Sequence, residues 1–383
     1  MTTMNAEDGA TSPKASGPLV DLRVIEFASI GPGPHCAMLL ADMGADVLRI
    51  DRAGGNGWPN PVLDRGRAIA TVDIHTEEGV AFCLDAADNA DVVIEGFRPG
   101  VMERLGLGPD VLLARNPRLV YGRMTGWGQT GPLAKAAGHD INYIAITGAL
   151  AAMGRPDEPA SPPLNLLGDI GGGSLFLAFG IMAALWERTR SGKGQVVDAA
   201  IIDGVTSMMT GLAGLVPSGR LSLDRGRNPL GGAAPFYRCY VCADGKEIAI
   251  GPLEPHFYRQ LLEKIGAPDI LLRDQNDVRN WSERSALLAE IFRTRASQDW
   301  RAILEGTDAC FAPVLSADEA PAHPQMKQRE VYVSHAGQLQ AAPAPRFSRT
   351  PGAIRSARSA DDVLARWKNV SGRNHFPTHD PKS

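Results

Sequence analysis

The sequence feature that most restricts the possible folds is a strand–turn–helix–strand pattern near the N-terminus. A short apolar run, Arg23 to Phe27, predicts a strand, and the turn Gly31-Pro-Gly-Pro34 follows it. Apolar residues then recur at helical spacing up to Gly44, and the run from Asp46 to Asp51 predicts a second strand. Such a β-α-β unit favours parallel pairing of its strands. We therefore expect an α/β fold built on a parallel sheet.

The glycines of this turn are a weak match to the dinucleotide-binding fingerprint. That pattern needs glycine at a third position, which here is Cys36. A tight strand-to-helix turn is the simpler interpretation. Asp51 and Arg52 end the second predicted strand, at the edge where doubly wound sheets bind ligands, and an arginine there suits a phosphate group.

The later part of the chain predicts more of the same unit and then a change of organisation. Further strands are expected at 90–94 and 118–124, helices at 78–89 and from Gly173 to about Arg190, a hairpin at 236–251, and helices near 256–265, 282–294 and 297–305. Gly192 is placed to end the apolar helix. Between 200 and 235 the periodicity weakens, which indicates a crossing into a second unit.

Composition narrows the class of protein. The chain has 39 Lys and Arg against 43 Asp and Glu, a net charge of −4, so it has no general field for nucleic acid and must hold an anion locally. The polar N-terminus lacks the apolar segment of a signal peptide, and the apolar run Leu175 to Trp186 is too short for a membrane span and predicts a buried helix. We expect a soluble, cytoplasmic protein.

The five cysteines show no disulfide framework, which fits a reducing compartment. Cys239 and Cys242 form a CxxC inside a predicted strand, where residues three apart point to opposite faces. Because no second cluster of cysteine or histidine completes a zinc site, we interpret them as packing residues and expect no metal.

Three polar positions are candidates for chemistry, and each has a structural alternative. His139 follows a glycine and precedes Asp140, although such a histidine is often structural. Asp169 precedes an apolar helix and could simply cap it, but Gly171 and Gly172 would leave helix-start N–H groups open to an oxyanion. Glu254 lies between apolar residues at a strand end. It is either an acidic residue of the active site, or a cap of the following helix, or a charge at the rim of the protein surface.

Nine short motifs occur in one order between Leu19 and Gly352. They are Gly31 to Pro34, Ala41 to Ala45, Arg49 to Arg52, Glu95 to Gly100, Thr125 to Gln129, Gly138 to Tyr143, Pro163 to Asp169, Gly192 to Asp198 and Asp308 to Cys310. Together they resemble the family III CoA-transferase superfamily, of the CaiB/BaiF type, and within it the α-methylacyl-CoA racemase branch.

This resemblance implies an interlocked homodimer of α/β chains. Each chain would contribute a Rossmann-like, parallel-sheet large domain built from both termini and a smaller α+β domain. The implied boundaries are a disordered tail at 1–18, the large CoA-binding domain at 19–200, a linker at 201–235, the small domain at 236–325 and a C-terminal return to the large domain at 326–383. CoA would enter as part of an acyl-CoA thioester substrate, with no separate cofactor, nucleic acid or membrane partner.

The resemblance also implies roles for individual residues. His139 and Asp169 match the two catalytic positions of the racemases, and Glu254 matches an acidic residue that supports the histidine, from the other subunit. The residues that match CoA contacts are Arg52, Val72, Asp73, Ile74, His75, Arg98, Arg104, Gly138, Asp140, Ile141, Asn142 and Tyr143.

The chemistry of a racemase fits these residue types. Interconverting (R)- and (S)-2-methylacyl-CoA removes the α-proton on one face and returns it on the other, through an enolate. This needs two acid/base groups of opposite protonation, which His139 and Asp169 can supply. The transferases of the family also carry an aspartate at the position of Asp169, as a nucleophile, so a CoA-transferase is the alternative. A CoA-binding protein with a decayed site is a third hypothesis.

One segment departs from the racemase pattern. Where racemases read Asn-Met-Leu-Asp-Gly-Gly-Ala-Pro, this chain reads Asn228-Pro-Leu-Gly-Gly-Ala-Ala-Pro235. Gly231 therefore stands in place of an acidic residue. This leaves the acyl chain of the substrate open, since branched fatty, sterol-like and aryl-propionyl esters all present the same α-carbon.

Overall fold

The computed structural model describes residues 16–55, 57–219 and 221–370, so most of the predicted tail at 1–18 lies outside the described residues. Its strands are β1 (Arg23–Phe27), β2 (Asp46–Asp51), β3 (Arg67–Thr71), β4 (Val92–Glu95), β5 (Val120–Thr125), β6 (Val196–Ala200), β7 (Arg238–Val241), β8 (Glu247–Ile250), β9 (Phe311–Pro313), β10 (Tyr332–His335) and β11 (Gln338–Ala341). Its α-helices are α1 (Pro32–Asp42), α2 (Glu77–Asp88), α3 (Val101–Arg104), α4 (Pro109–Arg115), α5 (Asp140–Ile146), α6 (Phe176–Ser191), α7 (Ile201–Met208), α8 (Thr210–Leu215), α9 (Pro255–Ile265), α10 (Trp281–Phe292), α11 (Ser297–Leu304), α12 (Pro324–Gln328) and α13 (Ala360–Val370). A π-helical stretch, Leu166–Leu175, leads directly into α6.

The chain forms two compact units. The first comprises residues up to Ala137, Asp169–Ile201 and the part from Glu330, and the second comprises Gly138–Gly168 and Ile202–Arg329. This division differs from the predicted boundaries at residues 138–168, which pack with the second unit. Arg225 Nη1, for example, donates to the carbonyl oxygen of Glu158 at 2.7 Å. The predicted linker at 201–235 also contains the helices α7 and α8.

A six-stranded sheet in the order β3-β2-β1-β4-β5-β6 forms the centre of the first unit. All of its neighbouring strands are parallel, and Ile25 of β1 lies beside Leu48 of β2 and Val93 of β4. These three side chains are fully buried, as expected for parallel strands covered on both faces. The prediction of a parallel sheet is therefore confirmed.

Strand β3 was not predicted, because its sequence places a charge where an apolar residue would be expected. Arg67 begins the strand and is fully buried, and its Nε lies 3.1 Å from Oε2 of Glu26, which is also fully buried. Burial of both charges is possible because they pair with each other inside the sheet. The apolar pattern alone could not reveal such a strand.

The order of the strands reverses between β1 and β4, and ligands bind at such a switch point in doubly wound sheets. The loops that follow the four strands at this point bring predicted site residues to one edge. The Gly31 turn follows β1, Arg52 follows β2, residues 72–75 follow β3 and Arg98 follows β4.

Helix α6 and the π-helical stretch before it form a 26-residue apolar helix, Leu166–Ser191, which is long and apolar enough to cross a membrane. It instead packs on β5 and β6 of the sheet through Leu177 and Ile181. Gly192 ends the helix with φ 73°, as predicted.

The outer side of α6 corrects the expectation of a buried helix. Leu175, Phe179, Met182 and Trp186 recur four, three and four residues apart on one face, and all are exposed, with Phe179 at 72% and Trp186 at 69%. We call these four residues the α6 stripe. An apolar row of this kind marks an interaction surface.

The second unit contains a three-stranded antiparallel sheet in the order β7-β8-β9. Strands β7 and β8 form the predicted hairpin, and α9, α10 and α11 confirm the three predicted helices. Its core packs aromatic rings closely, with Phe236 edge-on to Trp281 at 5.9 Å and Phe292 edge-on to Trp300 at 5.4 Å. Strand β9, only three residues long, was not predicted.

Candidate active site

Asp169 lies half-buried inside the π-helical stretch. The helical backbone begins at Leu166, seven residues before Gly173, where the helix was predicted to start. In a π-helix each N–H bonds a carbonyl five residues back, so the N–H groups of Gly171 and Gly172 lie within the hydrogen-bonded part of the helix. The prediction that these two glycines offer free helix-start donors to an oxyanion is therefore wrong.

The turn after β1 forms one wall around the Asp169 carboxylate. Gly31 has φ 73°, and a Cβ atom at this position would lie 3.2 Å from Asp169 Oδ2. Both the backbone conformation and the close approach favour glycine. Sequence reasoning assigned the Gly31 turn only to chain reversal, although its glycines were the signal for this contact.

A second contact joins the same two segments one turn further along. His35 Nδ1 and Ser174 Oγ are hydrogen-bonded at 2.7 Å, and Ser174 is fully buried. Burial lowers the pKa of His35, and the nearby cations of Arg65 and Arg67 act in the same direction. Neither His35 nor Ser174 was singled out in the sequence, because neither stands in a recognised chemical motif.

The lowered pKa of His35 makes the stability of the protein depend on pH. Below pH 6.5, the ordinary value for histidine, the unfolded chain takes up a proton that the folded chain resists. Above pH 6.5 protonation of His35 should not reduce the free energy of unfolding. Below pH 6.5 this free energy should fall as the pH drops. Urea denaturation of wild type and His35→Asn between about pH 5 and 7.5 measures this, and the variant should show the flatter profile. His75→Asn, at an exposed loop position, is the matched control, and equal slopes for His35→Asn and wild type would contradict the assignment.

Three arginines predicted to contact CoA follow strands β2 and β4: Arg52 and Arg98 lie in loops, and Arg104 is the last residue of α3. Arg52, Arg98 and Arg104 are exposed and make no ion pair with any residue that the structure describes. Arg52 Nε donates to the carbonyl oxygen of Gly55 at 2.9 Å, and Arg104 folds back toward Gly100. Exposed arginines at the carboxyl edge of the sheet suit a ligand that carries several phosphates.

The predicted CoA contacts at residues 72–75 lie in the loop between β3 and α2. Val72 N donates to the carbonyl oxygen of Asp51 at 2.8 Å, and Asp73 Oδ1 accepts from His75 N at 3.0 Å. Ile74 is half-buried, whereas Asp73 and His75 are exposed. The structure therefore brings this segment next to Arg52, because β3 and β2 are neighbours.

In the second unit, the segment Gly138 to Tyr143 is ordered by its own hydrogen bonds. The backbone N–H of His139 donates to Asn142 Oδ1 at 3.1 Å, and the Tyr143 hydroxyl donates to the carbonyl oxygen of Gly138. His139 itself precedes α5 and is exposed, so its imidazole is accessible. Ile141 is also exposed, at 46%.

Asp140 is buried and packs against the backbone of Gly168. A Cβ atom on Gly168 would lie 2.6 Å from Asp140 Cγ and closer still to Oδ2, so no larger residue fits without a shift. His139 precedes Asp140 in the chain and Asp169 follows Gly168. The two residues in this contact are thus the chain neighbours of the two predicted acid/base residues. The sequence analysis did not single out the role of Gly168 in this contact.

Glu254 is exposed and immediately precedes α9. Its side chain makes no hydrogen bond to the helix, so the alternative that it caps α9 is wrong. Burial raises the pKa of the Cys310 thiol, and the charges of Glu254 and Asp308 raise it further, which shows that the Glu254 carboxylate lies near this thiol. Among the described residues Glu254 has no ion-pair partner.

A cavity of about 790 Å³ lies within the second unit. Its lining includes Gly154, Arg155, Leu230, Gly231, Tyr237, Cys239, Ala249, Gly251 and Cys310. Gly231, the position that departs from the racemase pattern, therefore forms part of the wall. A Cβ atom at position 231 would meet nothing closer than 3.4 Å, so a methyl group fits there in ordinary van der Waals contact.

The CxxC pair behaves as the strand pattern predicted, with Cys239 exposed and Cys242 buried. Within residues 16–55, 57–219 and 221–370, no three His, Cys, Asp or Glu side chains are grouped to hold a metal ion.

A doubly wound sheet with exposed arginines at its carboxyl edge is an arrangement typical of proteins that bind phosphate-bearing ligands. Residues 19–359 match CoA-transferase family III. The chain is 44% identical over 343 residues to the alpha-methylacyl-CoA racemase of Mus musculus, covering 89% of each chain, and 40% identical over 334 residues to that of Homo sapiens, covering 87% of each. The crystal structure of a CAIB/BAIF family protein from Brucella suis is similar, with a TM-score of 0.79 and 27% identity over 93% of this chain and 100% of that one. This chain therefore belongs to CoA-transferase family III, as its motifs predicted.

Proposed function

We propose that this protein is a racemase that interconverts (R)- and (S)-2-methylacyl-CoA thioesters. The observation that carries the proposal is the pair His139 and Asp169. The imidazole of His139 is accessible, and the carboxyl of Asp169 is half-buried. His139 precedes Asp140 and Asp169 follows Gly168, and Asp140 and Gly168 are in contact. The near-full-length similarity to two α-methylacyl-CoA racemases supports the same reaction.

The proposed reaction moves one proton off the α-carbon and another onto it. A neutral His139 takes the α-proton on one face, which leaves an enolate. A protonated Asp169 then gives a proton to the opposite face, and the roles reverse for the other enantiomer. Each turnover inverts the configuration and exchanges the protonation states of the two groups, so no cofactor or metal is required. Glu254 of the partner subunit supports the histidine.

The exposed arginines supply the binding energy for the CoA part of the substrate. Arg52, Arg98 and Arg104 contact its phosphates, and residues 72–75 line the nucleotide. These contacts are the same before and after proton transfer, so they lower KM rather than raise kcat.

Deuterium exchange tests the proposed reaction directly. A single enantiomer of a 2-methylacyl-CoA ester, incubated with the enzyme in heavy water, should lose optical purity and gain one deuterium at the α-carbon. Chiral separation and mass spectrometry follow both changes. If the ester keeps its α-proton under these conditions, the proposal that this protein is a racemase is refuted.

The alternative is a CoA-transferase, which the name of the family itself favours. In that reaction the Asp169 carboxylate would attack the thioester and form a mixed anhydride, with CoA thiolate as the leaving group. Hydroxylamine should then trap an acyl group on Asp169, and CoA should move to a free acid. Transfer of CoA without α-exchange would favour this reaction over racemisation.

The substrate range depends on the cavity in the second unit, which we take to hold part of the acyl group. Gly231→Asp should lower kcat/KM for a bulky aryl ester by about tenfold and change that for the smallest 2-methyl ester little, because the added side chain takes up part of the cavity. Gly231→Ala is the control, since a Cβ atom fits there without a clash. Steady-state kinetics over a panel of esters measure the effect, and an equal loss for every ester would show that the cavity does not hold the acyl group.

We propose a homodimer, supported by the exposed α6 stripe. Phe179→Asp should lower the mass measured by light scattering from that of two chains to that of one, because it places a charge in an apolar interface. Val111→Asp on α4, also an exposed apolar position, should leave the mass unchanged. A wild-type protein with the mass of one chain would contradict the dimer.

A further inference from the structure

Two contacts between the start of α1 and the π-helical stretch lie one helical turn apart. Gly31 approaches the Asp169 carboxylate, and His35 bonds Ser174. On the α1 side the two residues are four apart, which places them on one face of an α-helix. On the other side Asp169 and Ser174 are five apart, which is the spacing of the backbone hydrogen bonds in a π-helix.

This spacing makes both contacts possible only in the π register. In an α-helix each residue turns by about 100°, so residues five apart point about 140° away from each other. If the segment relaxed to an α-helix, Ser174 and Asp169 could not both face α1. The bond between His35 and Ser174 therefore selects the register in which Asp169 lies against Gly31.

The bond is also well placed to hold that register. Ser174 is fully buried, and loss of its partner would leave a buried hydroxyl unsatisfied, which is costly. Long π-helices are rare because their hydrogen-bond geometry is poorer than that of an α-helix, so a stretch of ten residues needs support from outside.

We propose that His35 and Ser174 are a positioning pair that holds the π register and thereby fixes the direction of the Asp169 carboxylate. The proposal rests on the proposed function, in which Asp169 transfers a proton. Neither residue touches the substrate, and both act through Asp169. Small errors in the position of a reacting group cost about 100-fold in rate, so the pair has a large effect on turnover.

Three variants test the pair, with one control. His35→Ala and Ser174→Ala should each lower kcat for racemisation by about 10- to 100-fold and leave KM within about twofold, because CoA contacts are not altered. His35→Asn should stay within about threefold of wild type, since its amide can occupy the place of Nδ1. Thr189→Ala, which removes another hydroxyl of the same helix, should match wild type.

A double variant shows whether the two residues act together. His35→Ala/Ser174→Ala should be no slower than either single variant, because the second change removes a bond already lost. If the fold-losses in kcat of the two single variants multiply in the double variant, the two residues do not act as a pair. Single variants with the wild-type kcat would also contradict the proposal.

Hydrogen exchange provides a readout that does not depend on activity. In His35→Ala, the amides of residues 170–175 should exchange faster than in wild type and in Thr189→Ala, as the π-helical turn opens. Should wild type fail to exchange α-protons, the proposed function fails, while this measurement still decides the positioning pair. Unchanged protection of these amides in His35→Ala would refute it. If the alanine variants do not fold, Ser174→Cys serves the same comparison, since a thiol has a similar size but hydrogen-bonds only weakly.

Discussion

Asp169→Asn should abolish racemisation and yet leave proton exchange at one face of the α-carbon. Asn cannot give or take a proton, so inversion should fall by about 10²- to 10⁴-fold, the usual contribution of a general acid or base. His139 is unchanged in this variant and can still remove the α-proton on its own face and return it there. One enantiomer should therefore gain deuterium from heavy water without inversion, while the other stays unlabelled.

His139→Asn should show the mirror result, with exchange confined to the opposite enantiomer. The measurement is mass spectrometry of each purified enantiomer after incubation with each variant. Asp110→Asn, an exposed acidic residue of α4, should behave as wild type. If both variants lose exchange from the same enantiomer, the assignment of one group to each face is wrong. If Asp169→Asn loses all exchange together with acyl transfer, the nucleophilic alternative is favoured.

Gly168→Ala should lower both the activity and the stability of the protein, although it adds only one methyl group. The added Cβ atom would lie 2.6 Å from Asp140 Cγ, closer than any ordinary contact, so either the buried Asp140 or the start of the π-helical stretch must move. Since His139 and Asp169 adjoin these two residues, either shift displaces a reacting group. We expect a loss of at least about 100-fold in kcat, with a lower melting temperature, measured by racemisation kinetics and thermal denaturation.

Two further variants separate the clash from a general effect of alanine. Gly211→Ala, in α8, meets nothing within 4 Å, and it should keep full activity and be slightly more stable, because alanine favours helix. Asp140→Ala/Gly168→Ala removes the three atoms that clash and should recover much of the melting temperature lost by Gly168→Ala. A Gly168→Ala enzyme with wild-type kinetics would show that the contact does not position the site.

Much of the fold could be predicted from local patterns alone. Strands β1 and β2, the helix between them and the cap at Gly192 follow from apolar periodicity and turn residues, because backbone geometry dictates these spacings. The hairpin of β7 and β8 and the helices α9 to α11 were predicted on the same grounds. The candidate residues His139, Asp169 and Glu254 were found through motifs.

Other features of the molecule depend on contacts between residues far apart in the chain. Arg67 could join a buried strand because Glu26 and Asp64 pair with its guanidinium group. The α6 stripe was expected to be buried, since periodicity shows that a helix face is apolar but not what covers it. Residues 138–168 fold with the second unit through partners such as Arg225.

The sequence by itself determined that this chain folds into a doubly wound α/β protein of CoA-transferase family III. It also predicted His139 and Asp169 as the acid/base residues. Only the tertiary structure decided how Asp169 is held. A helical pattern of residues does not distinguish the α from the π register, because the two differ by one residue in their hydrogen bonds. In the structure the π-helical stretch is hydrogen-bonded through Ser174 to His35, which lies 139 residues away along the chain.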